Sequence, residues 1–287
     1  MTPDLLEQHV LSKLYFDPAG FIIAEEGDRS VGFAHAGFAP NASGNQLDHS
    51  QGITCLVMAI PHENHDELLN GLLKQSEKYL RAKGATKLLG GCAERSSPFY
   101  LGMYGGSQLP GVLASDPERC LLFERAGYKQ TTQIYVLQRR LSDFRPIVDR
   151  QQMQIRRQFQ IRSSFDPLPV CWWDACIHSQ LNCTHFEVTA RNSDTVVGSA
   201  TFWDVEPLAS SWGLHASGLL SYTMTEEHRT QGINVFLMGE AMRQLQSHGI
   251  TVVEAQDSGN DPMFERLGFE TVDVGTVFEK SLARKSG

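Results

Sequence analysis

The feature that most constrains the fold of this chain is an internal repeat. The sequence FERAGY at Phe123–Tyr128 recurs as FERLGF at Phe264–Phe269, and VGFA at Val31–Ala34 recurs as VGSA at Val197–Ala200. The members of the second pair are 166 residues apart, and each follows a turn-forming stretch. Ordered matches at a shared offset indicate that one fold occurs twice in the 287 residues.

The number of residues between matching positions of the two repeats becomes smaller toward the end of each repeat. Gly84 and Gly249, which each end a helical run, are 165 residues apart, whereas Gly127 and Gly268 are only 141 apart. The first repeat therefore carries about 24 additional residues, which lie around 94–117. We expect this insertion either to form a ligand lid or substrate wall, or to pack its aromatic side chains on its own domain. Those aromatic residues are Phe99, Tyr100 and Tyr104.

Both repeats show the same order of hydrophobic patterns. A β-hairpin is followed by an apolar strand, an amphipathic helix, another strand, a short helix that ends at Gly, and a closing strand. This order predicts a mixed α/β fold in which helices cover a sheet, present as two tandem domains at 1–140 and 150–287. The predicted strands are 21–24, 30–38, 53–60, 86–89 and 130–137, then 185–191, 195–205, 218–225, 251–254 and 270–278, and the long helices are 66–83 and 232–248.

Composition and charge exclude several classes of protein. The net charge is −8, and neither repeat has the basic excess of a nucleic-acid-binding protein. No run of 18 apolar residues predicts a membrane span, and the N-terminus does not resemble a signal peptide. We therefore expect a cytoplasmic protein that acts away from nucleic acids and membranes.

The six cysteines are expected to be reduced thiols. Cys171, Cys176 and Cys183 lie close together in sequence near two histidines, but they lack the paired spacing of a zinc site. We predict buried thiols on an apolar helix near 169–178 and no bound metal.

The strand-to-helix junction of the second repeat has the composition of an anion site. Its residues Arg229–Asn234 read RTQGIN, with Arg and Gly three positions apart. A turn of this kind directs backbone N–H groups and the positive end of the helix dipole toward an anion such as a pyrophosphate. The alternative is a plain helix N-terminus whose Gly only eases the turn.

This arrangement resembles the GCN5-related N-acetyltransferase (GNAT) family, whose motif is Gln/Arg-x-x-Gly-x-Gly/Ala after a central strand. Arg229 and Gly232 match the motif, whereas Asn234 stands where the family has Gly or Ala. The resemblance implies two tandem GNAT-like acyl-CoA N-acyltransferase domains with acetyl-CoA as the cosubstrate. It implies the following cofactor-binding residues: Met224, Thr225, Arg229, Thr230, Gln231, Gly232, Ile233, Asn234 and Asn260.

The resemblance also implies how the acyl group is held. Pantetheine should lie along the strand near Tyr222–Thr225, with the N–H of Met224 or Thr225 as oxyanion donor. The family often has a Tyr before the Leu-Gly-Phe element to protonate the leaving thiolate, but Phe264 occupies that position and Phe123 its counterpart. Asn260 is four residues before Phe264, where the family often has an Asn about seven before the Tyr.

For the catalytic residues we select Glu254 and Tyr222 from a larger group of polar side chains. Glu254 ends a strand that should border the cleft, and Tyr222 lies on the central strand. The remaining candidates for the base are Glu226, Glu227, His228, His215 and Asp257.

The first repeat has lost the anion turn. At the same register, Glu67 replaces the Gly and Asn64 replaces the Arg, and Asp66 adds a second carboxylate. These acids stabilise a helix N-terminus but repel a pyrophosphate. We therefore expect only the second repeat to bind acetyl-CoA.

The sequence supports three hypotheses for function. The first is an N-acetyltransferase whose acceptor is a small-molecule or peptide amine, with a cationic acceptor favoured by the negative charge. The second is a non-catalytic acyl-CoA sensor, and the third is a pseudoenzyme scaffold with no CoA site.

Overall fold

The computed structural model describes residues 2–93, 99–102, 107–178, 180–205, 209, 213–229, 231–259 and 261–282. Its strands are β1 (Phe21–Glu26), β2 (Arg29–Pro40), β3 (Leu47–Ala59), β4 (Lys87–Gly90), β5 (Val112–Leu113), β6 (Lys129–Arg140), β7 (Phe159–Phe165), β8 (Cys183–Ala190), β9 (Val196–Asp204), β10 (Ala216–Met224), β11 (Val252–Asp257) and β12 (Glu270–Ser281). Its α-helices are α1 (Pro3–Leu6), α2 (His65–Ala82), α3 (Pro117–Arg125), α4 (Arg150–Gln158), α5 (Trp172–His178), α6 (Ile233–Ser247) and α7 (Pro262–Arg266).

The strands form one mixed sheet that is nearly symmetric about its centre. The order is β1-β2-β3-β4-β12-β6-β11-β10-β9-β8-β7, with β5 paired to β12. Read outward from the centre, β4, β3, β2 and β1 on one side match β11, β10, β9 and β8 on the other. The mixed α/β fold with two matching halves is confirmed.

The two repeats exchange their closing strands. β6, the closing strand of the first repeat, pairs with β11 of the second repeat, and β12 pairs with β4 of the first repeat. β6 and β12 also pair with each other at the centre of the sheet. The repeats therefore share one continuous sheet. The bounds 1–140 and 150–287 stay a prediction.

Most elements of the sequence prediction are present within a few residues of their expected ends. The short helices α3 and α7 are each followed by a glycine in the left-handed region, Gly127 (φ 85°) and Gly268 (φ 76°), as the repeated motif predicts. Helix α4 and the edge strand β7 were not predicted from the sequence, nor were the short elements α1 and β5. The last four residues of β7 are all exposed, so this strand lacks the alternating apolar pattern that reveals a half-buried strand.

Helices α2 and α6 cover one face of the sheet, each over its own repeat. Leu69, Leu72 and Leu73 of α2 are buried in one core, and α6 is buried in another through both its N- and C-terminal turns. A third core lies on the opposite face of the sheet and contains residues of both repeats. It includes Phe99 and Tyr100 of the insertion and Trp173 of α5. The insertion therefore does not pack on its own repeat alone.

Within the described residues, no helix combines the length and apolar composition needed to cross a bilayer.

Candidate active site between two diverging strands

Strands β10 and β11 of the second repeat run parallel for only three residue pairs. The last pair is Gly218 with Glu254, and no pairing continues toward the C-terminal ends of the two strands. On its other side, β10 stays paired to β9 as far as Met224, with a bulge between Leu219 and Ser221. The edge of β10 beyond Gly218 therefore faces a gap between the two strands.

The backbone of β10 directs alternate residues into this gap. The Thr225 N–H donates to the Val197 carbonyl of the β9 side at 2.9 Å. Because neighbouring residues of an antiparallel strand point their polar groups to opposite sides, the backbone groups of Met224 and Tyr222 face the gap. Thr225 is therefore unsuited to donate to an oxyanion in this gap, whereas Met224 is suited to it.

The turn after β10 has the conformation that the sequence analysis expects of an anion site. Gly232 has φ 76° and ψ 10°, in the left-handed region, and helix α6 begins at the next residue, Ile233. Gln151 and Gln152 of α4 donate side-chain N–H groups to the carbonyls of Gln231 and Gly232, at 3.1 and 3.0 Å. The carbonyls of the turn are thereby satisfied, while the first N–H groups of α6 have no acceptor within the helix.

Two motif side chains make contacts that bear on anion binding. Arg229 is exposed and lies 3.2 Å from Glu226, so an anion would compete with that carboxylate for the guanidinium. The Asn234 side-chain oxygen accepts the N–H of Val235 at 2.9 Å. Asn234 therefore occupies one of the first N–H groups of α6. The predicted residues Thr230 and Asn260 lie outside the described residues.

Tyr222 lies on the α6 side of β10, half-buried beside the turn. Burial, together with the nearby Asp261 carboxylate, raises the pKa of Tyr222 to about 12, although the Asn234 amide and Arg229 lower it. The hydroxyl therefore keeps its proton near pH 7. Tyr222 has the protonation state of a proton donor, not of a base.

Glu254 is the buried carboxyl at the point where the strands diverge, and only 1% of its surface is exposed. Its Oε1 accepts the Ser107 backbone N–H at 2.7 Å, and its Oε2 accepts the Gln138 side-chain N–H at 3.4 Å. Burial raises the pKa of Glu254 to about 7, although both hydrogen bonds lower it. A carboxyl with this pKa is matched to base catalysis at neutral pH.

The insertion of the first repeat reaches this gap. Gln108 donates its side-chain N–H to the Leu220 carbonyl of β10 at 3.4 Å, and its own carbonyl accepts the Gln256 side-chain N–H of β11 at 2.9 Å. Sequence reasoning did not identify Ser107, Gln108 or Gln138 as site residues. The only available signal was the insertion itself, because these contacts join residues more than 100 positions apart.

The other candidate bases are engaged elsewhere or exposed. His228 Nδ1 lies 2.8 Å from Thr225 Oγ1, and Asp257 accepts the Gly259 N–H at 2.9 Å. Glu226 pairs with Arg229, and Glu227 and His215 are exposed. Glu254 is therefore the buried base candidate that the structure brings to the gap.

The corresponding turn of the first repeat has no left-handed glycine. Helix α2 begins at His65 after Asn64, and Asp66 and Glu67 lie in its first turn. Asp66 pairs with Arg125 at 3.2 Å. This helix start therefore carries acidic side chains where α6 has Gly232 in the left-handed conformation.

The aromatic residues and cysteines singled out from the sequence differ in how deeply they are buried. Phe123 and Phe264 are both buried, as are Trp173 and Trp203, whereas Tyr104 and Trp212 lie outside the described residues. All six cysteines are free thiols, and Cys171 and Cys176 are only partly buried. The described part of the chain contains no group of three or more His, Cys, Asp or Glu side chains that could hold a metal ion.

Comparison with known proteins shows that the second repeat is similar to one protein family. The model of the acetyltransferase (GNAT) family matches residues 148–269. No match is found among curated protein sequences.

Solved structures extend the similarity to the whole chain. A tandem GNAT protein from the clavulanic acid biosynthesis pathway is 12% identical, with a TM-score of 0.64 over 90% of this chain and 81% of that chain. A GCN5-related N-acetyltransferase from Sphaerobacter thermophilus is 14% identical, with a TM-score of 0.60 over 89% and 78%. A GCN5-related glucosamine N-acetyltransferase region of a fungal multi-domain β-N-acetylglucosaminidase is 15% identical, with a TM-score of 0.64 over 89% of this chain and 32% of that one. The chain therefore has the fold of a tandem GNAT protein, and its residues 148–269 match the model of the acetyltransferase (GNAT) family.

Proposed function

We propose that the protein is an N-acetyltransferase that uses acetyl-CoA, with its single active site in the second repeat. The observation that carries this proposal is the position of Glu254. A buried carboxyl with a pKa near 7 lies where β10 and β11 diverge, next to the exposed backbone edge of β10. We keep 1–140 and 150–287 as the proposed domain bounds.

The residues present fit acetyl-CoA along the gap. The start of α6, from Gly232 through Ile233 to Asn234, offers N–H groups to the pyrophosphate, and Arg229 adds a positive charge. Pantetheine takes the free edge of β10 beside Tyr222 and Met224, as an added strand would. Thr225, Thr230, Gln231 and Asn260 remain predicted contacts of the cofactor.

Acetyl-CoA supplies the acyl group as a thioester, and the chain supplies the proton transfers. Glu254 accepts a proton from the acceptor amine, which then forms the new C–N bond as the C–S bond breaks. The Met224 N–H donates to the carbonyl oxygen, where negative charge develops. Tyr222 donates a proton to the departing sulfur and takes the role that Phe264 is unable to perform.

The acceptor is proposed to be a small-molecule or peptide amine. The net charge of −8 favours a cationic acceptor through long-range attraction and disfavours nucleic acid. We also propose a cytoplasmic location, since free thiols persist in reducing compartments.

Calorimetric titration with acetyl-CoA tests the cofactor site. The wild-type protein and Glu67→Gly should bind with similar affinity, whereas Arg229→Glu should bind at least tenfold more weakly because it places a carboxylate beside the pyrophosphate. If the wild type gives no binding heat at high ligand concentration, the protein is a scaffold without a CoA site. A larger effect of Glu67→Gly than of Arg229→Glu would place the site in the first repeat.

A free-thiol release assay over a panel of amines tests the activity. Turnover with at least one amine supports the enzyme. Binding of acetyl-CoA without turnover for any amine would favour an acyl-CoA sensor, which the buried Phe264 at the usual Tyr position already allows.

A further inference from the structure

Both hydrogen-bond donors to Glu254 belong to the other repeat. The Ser107 N–H, 2.7 Å from Oε1, lies in the insertion of the first repeat, and the Gln138 amide, 3.4 Å from Oε2, lies on β6. The second repeat thus provides the carboxyl, and the first repeat provides the groups that orient it.

The exchange of closing strands brings Gln138 to this position. In the register of β11 with β6, Glu254 lies directly opposite Gln138. Side chains of directly opposed residues on neighbouring strands lie on the same face within contact distance. Without the exchange, the closing strand of the second repeat, β12, would border β11 in place of β6.

The insertion connects the two diverging strands at the same level. Gln108 contacts Leu220 on β10 through its side chain and Gln256 on β11 through its carbonyl. Gly218 permits this approach, because a Cβ at that position would overlap the Cβ of Ser107. The insertion therefore bridges the two strands beside Glu254.

We propose that Ser107, Gln108 and Gln138 of the first repeat are positioning residues for the active site of the second repeat. They orient the Glu254 carboxylate and hold β10 and β11 at a set separation. The first repeat, which lacks a CoA turn of its own, is then a required part of one composite site. This inference builds on the proposed role of Glu254 as the base.

The hydrogen bonds from Ser107 and Gln138 are the interactions that favour the ionised form of Glu254. Among the described residues, no charged side chain contributes to the pKa of Glu254, and its neighbours across the strands are Gly218 and Gln138. Burial favours the protonated form, and the hydrogen bonds from Ser107 and Gln138 favour the carboxylate. Removing a donor should therefore raise the pH at which Glu254 ionises.

The test compares Gln138→Leu and Gln138→Glu with Gln133→Leu, an exposed glutamine on the same strand. We expect the acid limb of the kcat/KM profile to move to higher pH by about half a unit in Gln138→Leu. Gln138→Glu should move it further, because a second carboxylate opposes ionisation. Gln133→Leu should leave the midpoint and acetyl-CoA affinity unchanged. Unmoved midpoints in both Gln138 variants, with folding intact by circular dichroism, would overturn the inference.

A second readout separates this inference from the proposed function. The infrared carbonyl band of protonated Glu254, identified as the difference between wild type and Glu254→Gln, reports ionisation without turnover. If the wild type has no activity but the band midpoint rises in both Gln138 variants, the proposed function fails and the positioning role stands. A band midpoint that stays constant in both variants rejects the positioning role whether or not the enzyme turns over.

Discussion

The same pair of strands occurs in both repeats, with opposite outcomes. At an offset of 165 residues, Ile53 opposite Leu89 in the first repeat corresponds to Gly218 opposite Glu254 in the second. In the first repeat, pairing continues for another residue to Gly90, whereas in the second it stops at this pair. Two apolar side chains form part of a packed core in the first repeat, whereas the glycine beside Glu254 leaves space that Ser107 of the insertion occupies.

The turns that follow show the same contrast. Gly232 adopts the left-handed conformation before α6, and the equivalent Glu67 lies inside the first turn of α2. A carboxylate at the helix start satisfies the dipole from within the chain, so an external anion has no electrostatic reason to bind there. The second repeat thus has the left-handed glycine of the proposed anion site, and the first repeat carries carboxylates at the same helix start.

The insertion serves the two repeats differently. In the first repeat, Phe99 packs against Gly37, and the Tyr100 hydroxyl lies 2.8 Å from Nδ1 of the buried His35. Ser107 and Gln108 instead contact the diverging strands of the second repeat. The same segment fills the interior beside one strand pair and contacts the buried Glu254 carboxyl beside the other.

The largest expected effect follows from removing the base that distinguishes the repeats. Glu254→Gln should lower kcat/KM by about 10²- to 10⁴-fold, the usual contribution of a general base, with little change in acetyl-CoA affinity. Glu227→Gln, an exposed acid in the turn, is the matched control and should keep its activity. Thiol-release kinetics measure both variants. Full activity in Glu254→Gln would show that Glu254 is not the base and that the two strand pairs do not differ in this function.

The next effect concerns stability as a function of pH. The folded-state pKa of Glu254, about 7, lies above the ordinary value of 4.5, so the folded protein holds this proton more tightly than the unfolded chain. Its stabilising contribution is present below pH 4.5 and is lost as pH rises through about 7, by about 3 kcal/mol in total. Relative to Glu254→Gln, the wild type should lose stability between pH 5 and pH 8 in urea unfolding. Parallel pH profiles for the two proteins would contradict the raised pKa.

A third experiment places the acid of the second repeat into the first. Leu89→Glu introduces a carboxyl among partly buried apolar residues without the donors that Glu254 has, and should cost about 1–3 kcal/mol of unfolding free energy. Leu121→Glu, at an exposed leucine of α3, is the control and should change stability little. Urea unfolding at pH 8 measures both. An equal loss of unfolding free energy in the two variants would show that a carboxyl at position 89 is tolerated as well as one on the surface.

The smallest effects compare two glycines near the starts of corresponding helices. Gly232→Ala should cost about 1–2 kcal/mol because Gly232 has φ 76°, and its Cβ would lie 3.1 Å from Gln151 Nε2. Gly71→Ala, in open space within α2, should instead stabilise the protein by about 0.5–1 kcal/mol. Only Gly232→Ala should also weaken acetyl-CoA binding in calorimetry. If both variants changed the unfolding free energy in the same direction, Gly232 would not need its left-handed conformation more than Gly71 needs its helical one.

Local patterns were sufficient to predict most of the elements. Helix α2 was expected over 66–83 and spans His65–Ala82, because its leucines recur at the helical period and Gly84 follows its end. Strand β7 was missed, since its exposed residues give no alternation. The exchange of β6 and β12 could not be predicted, because both strands carry the same repeated pattern and either could satisfy the open edge of β4 or β11.

The sequence by itself determined the duplication, the order of elements and the loss of the anion turn in the first repeat. These features depend on short-range chemistry, such as the left-handed conformation that Gly232 adopts readily and the charge of Glu67 at a helix start. Only the tertiary structure decided which residues make up the proposed active site. Glu254 contacts Ser107 and Gln138 across 147 and 116 residues, and its pKa depends on how completely the fold removes water from around it. Burial and strand partnership are properties of the whole sheet, so no local segment encodes them.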